Sequence, residues 1–197
     1  MSSVFNLNHD RLTALPQGAE IAGALDACGP IDSPISFNRY CRAACRLWRE
    51  KFPQGRGETS PHFAELVSHI AQGCDEVIQT GWGGVVITRH EHPHVEKYLV
   101  VRQHGYLALE THELKDERLE VKEGAGLILW RQPNEEALTV EALRPGAEFH
   151  LKPGMEHCLI GTENLLVFER SIDPKGMDQD LIFIYEPDGS GDAPSHA

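Results

Sequence analysis

The chain has no C-x-x-C pair and an odd number of cysteines, Cys28, Cys41, Cys45, Cys74 and Cys158. That pattern argues against a disulfide framework and for reduced thiols in a cytoplasmic protein. Cys41 and Cys45 are neighbours on one helix face, but no further ligands stand near them, so they read as buried thiols and not as a zinc site. Long apolar runs are missing, which argues against a membrane span. Positions 1 to 10 have neither a cationic start nor an apolar core, so no secretory signal is expected. Positive charge is scarce. Lys and Arg number 18 against 30 Asp and Glu, a formal charge of −12 that argues against nucleic acid and anionic membrane as partners. A small anionic ligand stays compatible with it, because a local basic pocket can oppose the global field. No internal repeat is present.

What is there suits one globular domain of 197 residues with a sizeable core and a helical extension. From Arg11 to Cys28 helical character is weak and interrupted by Pro16 and Gly18; Gly29-Pro30 and Ser33-Pro34 mark breaks. Between Ser36 and Lys51, Phe37, Tyr40, Cys41, Ala44, Leu47 and Trp48 recur at helical spacing, and Pro53 and Gly55 end that helix. Ser60-Pro61 then supplies an N-cap followed by proline at the first helical position. Phe63, Leu66, Val67 and Ile70 form the stripe of a second helix that Gly73 can close.

From about Val77 the period changes to two. Short strands are predicted at 85–87, 98–101, 106–111, 118–121, 127–130, 138–143, 148–151, 165–169 and 181–185. Turn pairs such as Glu123-Gly124, Pro145-Gly146 and Pro153-Gly154 separate them. Many short, closely spaced strands imply a β-sandwich or barrel. The expected organisation is a helical extension over 1–76, a barrel over 77–186 and a disordered tail over 187–197.

One constellation carries chemistry. Glu110 and His112 are two residues apart, so on a strand they share a face. Glu117 follows across a short turn and opens a strand ending at Gly124, and His157 stands just after the Pro153-Gly154 turn. Two strands and a returning third can bring two carboxylates and two imidazoles around one point, a donor set suited to Zn, Mn, Fe or Ni.

These residues resemble the cupin superfamily. Its first motif runs glycine, short strand, H-x-H, three or four residues, E, six residues, G. Glu110-x-His112, four residues, Glu117, six residues and Gly124 follow that frame, with glutamate in place of the first histidine. Its second motif is matched by Gly146 and Pro153-Gly154-Met-Glu-His157, with the proline one position late and Asn164 beyond the expected place. A competing register, Gly84 with His90-Glu-His92 and Glu96, contains a true H-x-H. It lacks the closing glycine at 103 and leaves too long an interval before Gly146, so His90, His92 and His94 read as a polar loop.

A narrower resemblance is to mannose-6-phosphate-isomerase-like cupins. It rests on Trp82-Gly83, Lys97, Glu110-Thr-His112, Lys115 and Glu117, then Glu169-Arg-Ser171 and the acidic pair Asp178-Gln-Asp180 before a strand. Glu110 stands where that subgroup has glutamine, and the arginine that follows the acidic pair in many members is missing. The resemblance implies one cupin barrel with a helical extension, and one divalent metal held by Glu110, His112, Glu117 and His157. It also implies isomerisation of a small sugar or sugar phosphate, with Lys97 and Lys115 moving protons or holding a phosphate. Arg131, Arg144 and Lys152 would assist if they point inward, and Trp82 is expected to pack. Two other readings stay open: an iron-dependent dioxygenase, and a carbohydrate-binding cupin without catalysis. A homodimer is expected from the exposed sheet edges of such a fold.

Overall fold

The computed structural model describes residues 4–51 and 61–188. The predicted helix stop at Pro53 and Gly55, the cap at Ser60 and the tail from 189 lie outside these residues. Two six-stranded sheets face each other. The first has the order β1 (Asn6–Asn8), β8 (Ala137–Leu143), β7 (Gly126–Arg131), β10 (Glu156–Gly161), β5 (Leu109–His112), β12 (Leu181–Tyr185). The second runs β2 (Glu76–Thr80), β3 (Gly83–Glu91), β4 (His94–Val101), β11 (Leu165–Ile172), β6 (Asp116–Glu123), β9 (Glu148–Leu151). Of the paired strands only β1 and β8 run parallel. The result is the jelly-roll sandwich expected from the strand spacing.

Two apolar layers hold it together. Between the sheets lie Leu99, Val101, Leu119, Val121, Ile128, Leu151, Leu159 and Val167. On the outer face of the first sheet, Leu109, Leu127, Leu129, Leu138, Val140, Cys158 and Ile160 meet the N-terminal helices. β7 shows why its sequence is apolar throughout. Ile128 points between the sheets while Leu127 and Leu129 point under the helices, so both faces are dry.

The helices are α1 (Asp10–Thr13), α2 (Gly18–Asp26), α3 (Pro34–Lys51) and α4 (Pro61–Ala71). The Ser33-Pro34 break is the start of α3. The Ser36 amide donates to Ser33 Oγ at 3.2 Å, and Pro34 takes the first helical position. α3 buries Phe37, Tyr40, Cys41, Ala44, Cys45 and Trp48 against the sheet. The helical extension thus covers one face of the barrel. It also donates a strand, since β1 extends the first sheet beside β8. β1, β2 and β10 are strands that the periodicity does not reveal. Among the described residues no helix is long and apolar enough to cross a membrane.

Candidate metal centre

The cavity between the sheets encloses about 310 Å³ and is lined by all six residues singled out from the sequence: Lys97, Glu110, His112, Lys115, Glu117 and His157. Strand alternation puts them there. On β5, Glu110 and His112 face inward while Leu109 joins the layer under the helices. On β6, Glu117, Leu119 and Val121 are buried on the inner face and Arg118 is exposed. His157 lies on β10 and pairs in register with Glu110 on β5. The next residue, Cys158, points to the other side.

The glycine closing the first motif has a steric reason. Gly124 has φ +82, and a Cβ there would sit 1.7 Å from the Asn164 carbonyl oxygen. Asn164 itself accepts a hydrogen bond from the Gln103 amide at 2.9 Å, a structural duty away from the cavity.

Three donors, from Glu110, His112 and His157, converge, and Glu117 lies beside them. His112 Nε2 is 3.2 Å from Glu117 Oε1, and His157 Nε2 is 3.5 Å from Glu117 Oε2 and 3.8 Å from Glu110 Oε1. One donor atom from each of Glu110, His112 and His157 lies within 4.8 Å of the others, close to the limit of about 4.4 Å for donors about 2.2 Å from a shared ion, whereas Glu117 groups with His112 and Asp178. The donor chemistry fits as well. Burial lowers the pKa of His157, which favours the neutral imidazole that a metal needs. Burial, reinforced by Glu117, pushes Glu110 up to about 8. Among the described residues the one polar contact of Glu110 is His157.

Asp180 completes the centre from behind. Its Oδ1 lies 2.9 Å from His112 Nδ1, and its Oδ2 accepts the amides of Leu114 and Lys115 at 2.7 and 3.0 Å. A carboxylate in that position fixes the ring and leaves Nε2 turned into the cavity. Burial opposes ionisation of Asp180, but His112 and the two amides outweigh it and hold its carboxyl below the usual range.

Lys97 and Lys115 form the second half of the wall. Lys115 Nζ lies against Glu117, 2.8 Å from Glu169 Oε1 and 2.6 Å from Asp178 Oδ1. Lys97 Nζ is 2.6 Å from Asp178 Oδ2 and 3.3 Å from Glu169 Oε2. Burial works against both ammonium groups, yet the carboxylates outweigh it and raise both lysines above their ordinary value. Burial likewise opposes Asp178, and the two lysines hold its carboxyl down to about 2.

The other predicted positions fall elsewhere. Arg131 pairs with Glu156 and sits over the Phe5 ring, and Arg144 and Lys152 are exposed, so none reaches the cavity. Trp82 packs beside the inter-sheet layer and also lines the cavity. His90, His92 and His94 are exposed, but only His92 is in the turn expected there; His90 lies near the end of β3 and His94 opens β4 in a paired hairpin. Asp180, Asp178 and Glu169 were visible in sequence as an acidic pair and an E-x-S. Their contacts depend on the return of β11 and β12, which local pattern does not encode.

The chain matches no protein-family model, and no curated protein is similar to it in sequence. Solved structures do resemble it. The capsular polysaccharide assembling protein CapF from Staphylococcus aureus superposes with a TM-score of 0.50 at 14% identity, over 56% of this chain and 34% of that one. CapF with the inhibitor 3-isopropenyl-tropolone gives 0.50 at 13% identity, over 73% and 47%. A looser likeness, TM-score 0.45 and 15% identity over 55% and 71%, is to the L-ribose isomerase of Cellulomonas parahominis with L-psicose, and it adds nothing to the fold assignment. The matched part thus spans about a third to a half of CapF. A jelly roll with inward histidines and carboxylates defines a class, and the superpositions agree with it. The chain has the cupin fold.

Proposed function

We propose that this protein is a metal-dependent cupin that interconverts the aldose and ketose forms of a small, uncharged sugar. The observation that carries the reading is the gathering of two imidazoles and two carboxylates in one cavity beside two buried ammonium groups. His112, His157, Glu117 and Glu110 would hold one Zn, Mn, Fe or Ni ion. A divalent metal there supplies Lewis acidity toward the carbonyl and hydroxyl oxygens of the substrate.

The chain's own groups divide the remaining work. Lys97 and Lys115 stay protonated beside Glu169 and Asp178, so they suit donation to a developing oxyanion and not proton abstraction. Glu110, the inward carboxylate without a lysine partner, would complete the metal's donor set. Phosphate is disfavoured, because both lysines are already surrounded by carboxylates. The neutral sugar is therefore preferred over the sugar phosphate.

The test is a panel of aldoses and ketoses incubated with protein loaded with each of the four metals, followed by NMR of the sugar carbons. Interconversion of at least one pair is expected; no turnover across the panel contradicts the reading. The apolar part of the cavity, Trp82, Leu99, Leu107 and Phe183, favours iron-dependent oxygenation of an apolar substrate as the second reading. Oxygen uptake with Fe(II) separates the two. The homodimer reading finds support in β2, a sheet edge with Val77 and Ile78 exposed.

A further inference from the structure

An acidic chain can hold a basic pocket, and this one does. Arg39, Arg42, Arg46 and Arg49 recur along α3 at spacings of three and four residues, so they share one helix face. All four line a cavity of about 660 Å³, which Cys28 and His104 also line. Arg39 donates to the Cys28 carbonyl at 3.0 Å, and Arg42 forms a fork with Asp188 at 3.0 and 2.8 Å. Both partners of that fork are over a third exposed, so it is a weak surface pair that a stronger anion can displace. Arg46 and Arg49 make no hydrogen bond or ion pair among the described residues.

We propose that this cavity binds a small molecule carrying a diphosphate group. The guanidinium fork matches phosphate oxygens two at a time. One phosphate can be satisfied by two arginines. Four arginines from 39 to 49 cover about 15 Å of helix axis and call for more than one anionic group. The cavity volume is in the range of small-molecule sites, about 300–1,000 Å³. A long polyanion such as nucleic acid or an acidic peptide would meet the field of a chain with charge −12, whereas screening over about 8 Å shelters a compact ligand.

The site is separate from the metal cavity, with which it shares no lining residue. β10 links the two. Its Gly161 carbonyl accepts the Cys45 thiol at 3.8 Å on the arginine side, four residues or about 13 Å along the strand from His157. The proposal does not depend on the catalytic reading of that other cavity.

Calorimetric titration of the full chain with inorganic pyrophosphate and with orthophosphate, at low ionic strength, tests it. Pyrophosphate should bind at least ten-fold more tightly than orthophosphate. An R46A/R49A variant should bind pyrophosphate at least about ten-fold more weakly than wild type, with metal content and circular dichroism unchanged. Arg46→Gln and Arg49→Gln, each an exposed polar replacement, should each weaken it part of the way. Equal affinity for the two anions overturns the proposal. So does undiminished pyrophosphate binding by the folded arginine variants, which would place the anion on the metal instead.

Discussion

The two faces of the first sheet are both buried, and they are buried for different ends. The outer face meets the helices with Leu109, Leu127, Leu129, Val140 and Ile160 against Phe37, Tyr40 and Trp48. Its thiols, Cys41, Cys45 and Cys158, are packing groups; burial pushes Cys45 up to about 12. The inner face carries Glu110, His112 and His157, backed across the cavity by Lys97, Lys115, Glu117 and Glu169. Area removed from water stabilises the first arrangement at about 25 cal/mol per Å². The second sacrifices that gain, because buried charges must be paired to be tolerated at all. A chain that needed only stability would fill both faces alike. The charged inner face is therefore the one on which the proposed function rests.

The contrast can be broken most sharply at one residue on each face. Lys115→Met strips an ammonium from Glu117, Glu169 and Asp178, and should lower unfolding free energy by about 3–5 kcal/mol in urea titration. Phe37→Ala empties part of the outer layer and should cost about the same, about 3–5 kcal/mol. Metal affinity tells them apart: it should change in the Lys115 variant, whose Glu117 loses its partner, and stay at the wild-type value in folded Phe37→Ala protein. Equal metal behaviour in the two would dissolve the distinction between the faces.

Asp180→Asn sharpens it further. The Asn oxygen can still accept the Leu114 and Lys115 amides, which turns the amide nitrogen toward His112 Nδ1. That nitrogen must then accept, and the proton moves to Nε2, where it blocks ligation. Metal affinity in a competition assay should fall about 10–100-fold, with a small change in urea midpoint. The smallest effect concerns the thiols. A thiol-reactive chromophore should titrate Cys28 and Cys74 in the native protein, and Cys41, Cys45 and Cys158 only after unfolding.

Much of the inner face was legible in the sequence because strand alternation is a local rule. Two-residue spacing sufficed to put Glu110 and His112 on one side, and the turn glycines bounded the strands around Glu117 and His157. The outer helix was legible from its 3.6-residue stripe. The misses share a cause. β10, like β7, is buried on both sides, but its apolar run is only Cys158, Leu159 and Ile160 between His157 and Gly161, too short to stand out. β1 is three residues long and becomes a strand only by pairing with β8. Asp180 and Asp178 meet His112 and the lysines through contacts spanning more than 60 positions, which no local period records. The same is true of Arg131, whose charge suggested a substrate contact and whose strand face directs it to Glu156 instead.

The central proposal is that Glu110, His112, Glu117 and His157 would hold one divalent ion. Elemental analysis of untagged protein tests it most directly, run beside a His112→Ala/His157→Ala double variant of confirmed fold. Close to one equivalent of Zn, Mn, Fe or Ni in the wild type, lost in the variant, is the predicted result. No bound metal in the wild type after reloading, or full retention by the variant, would contradict the account.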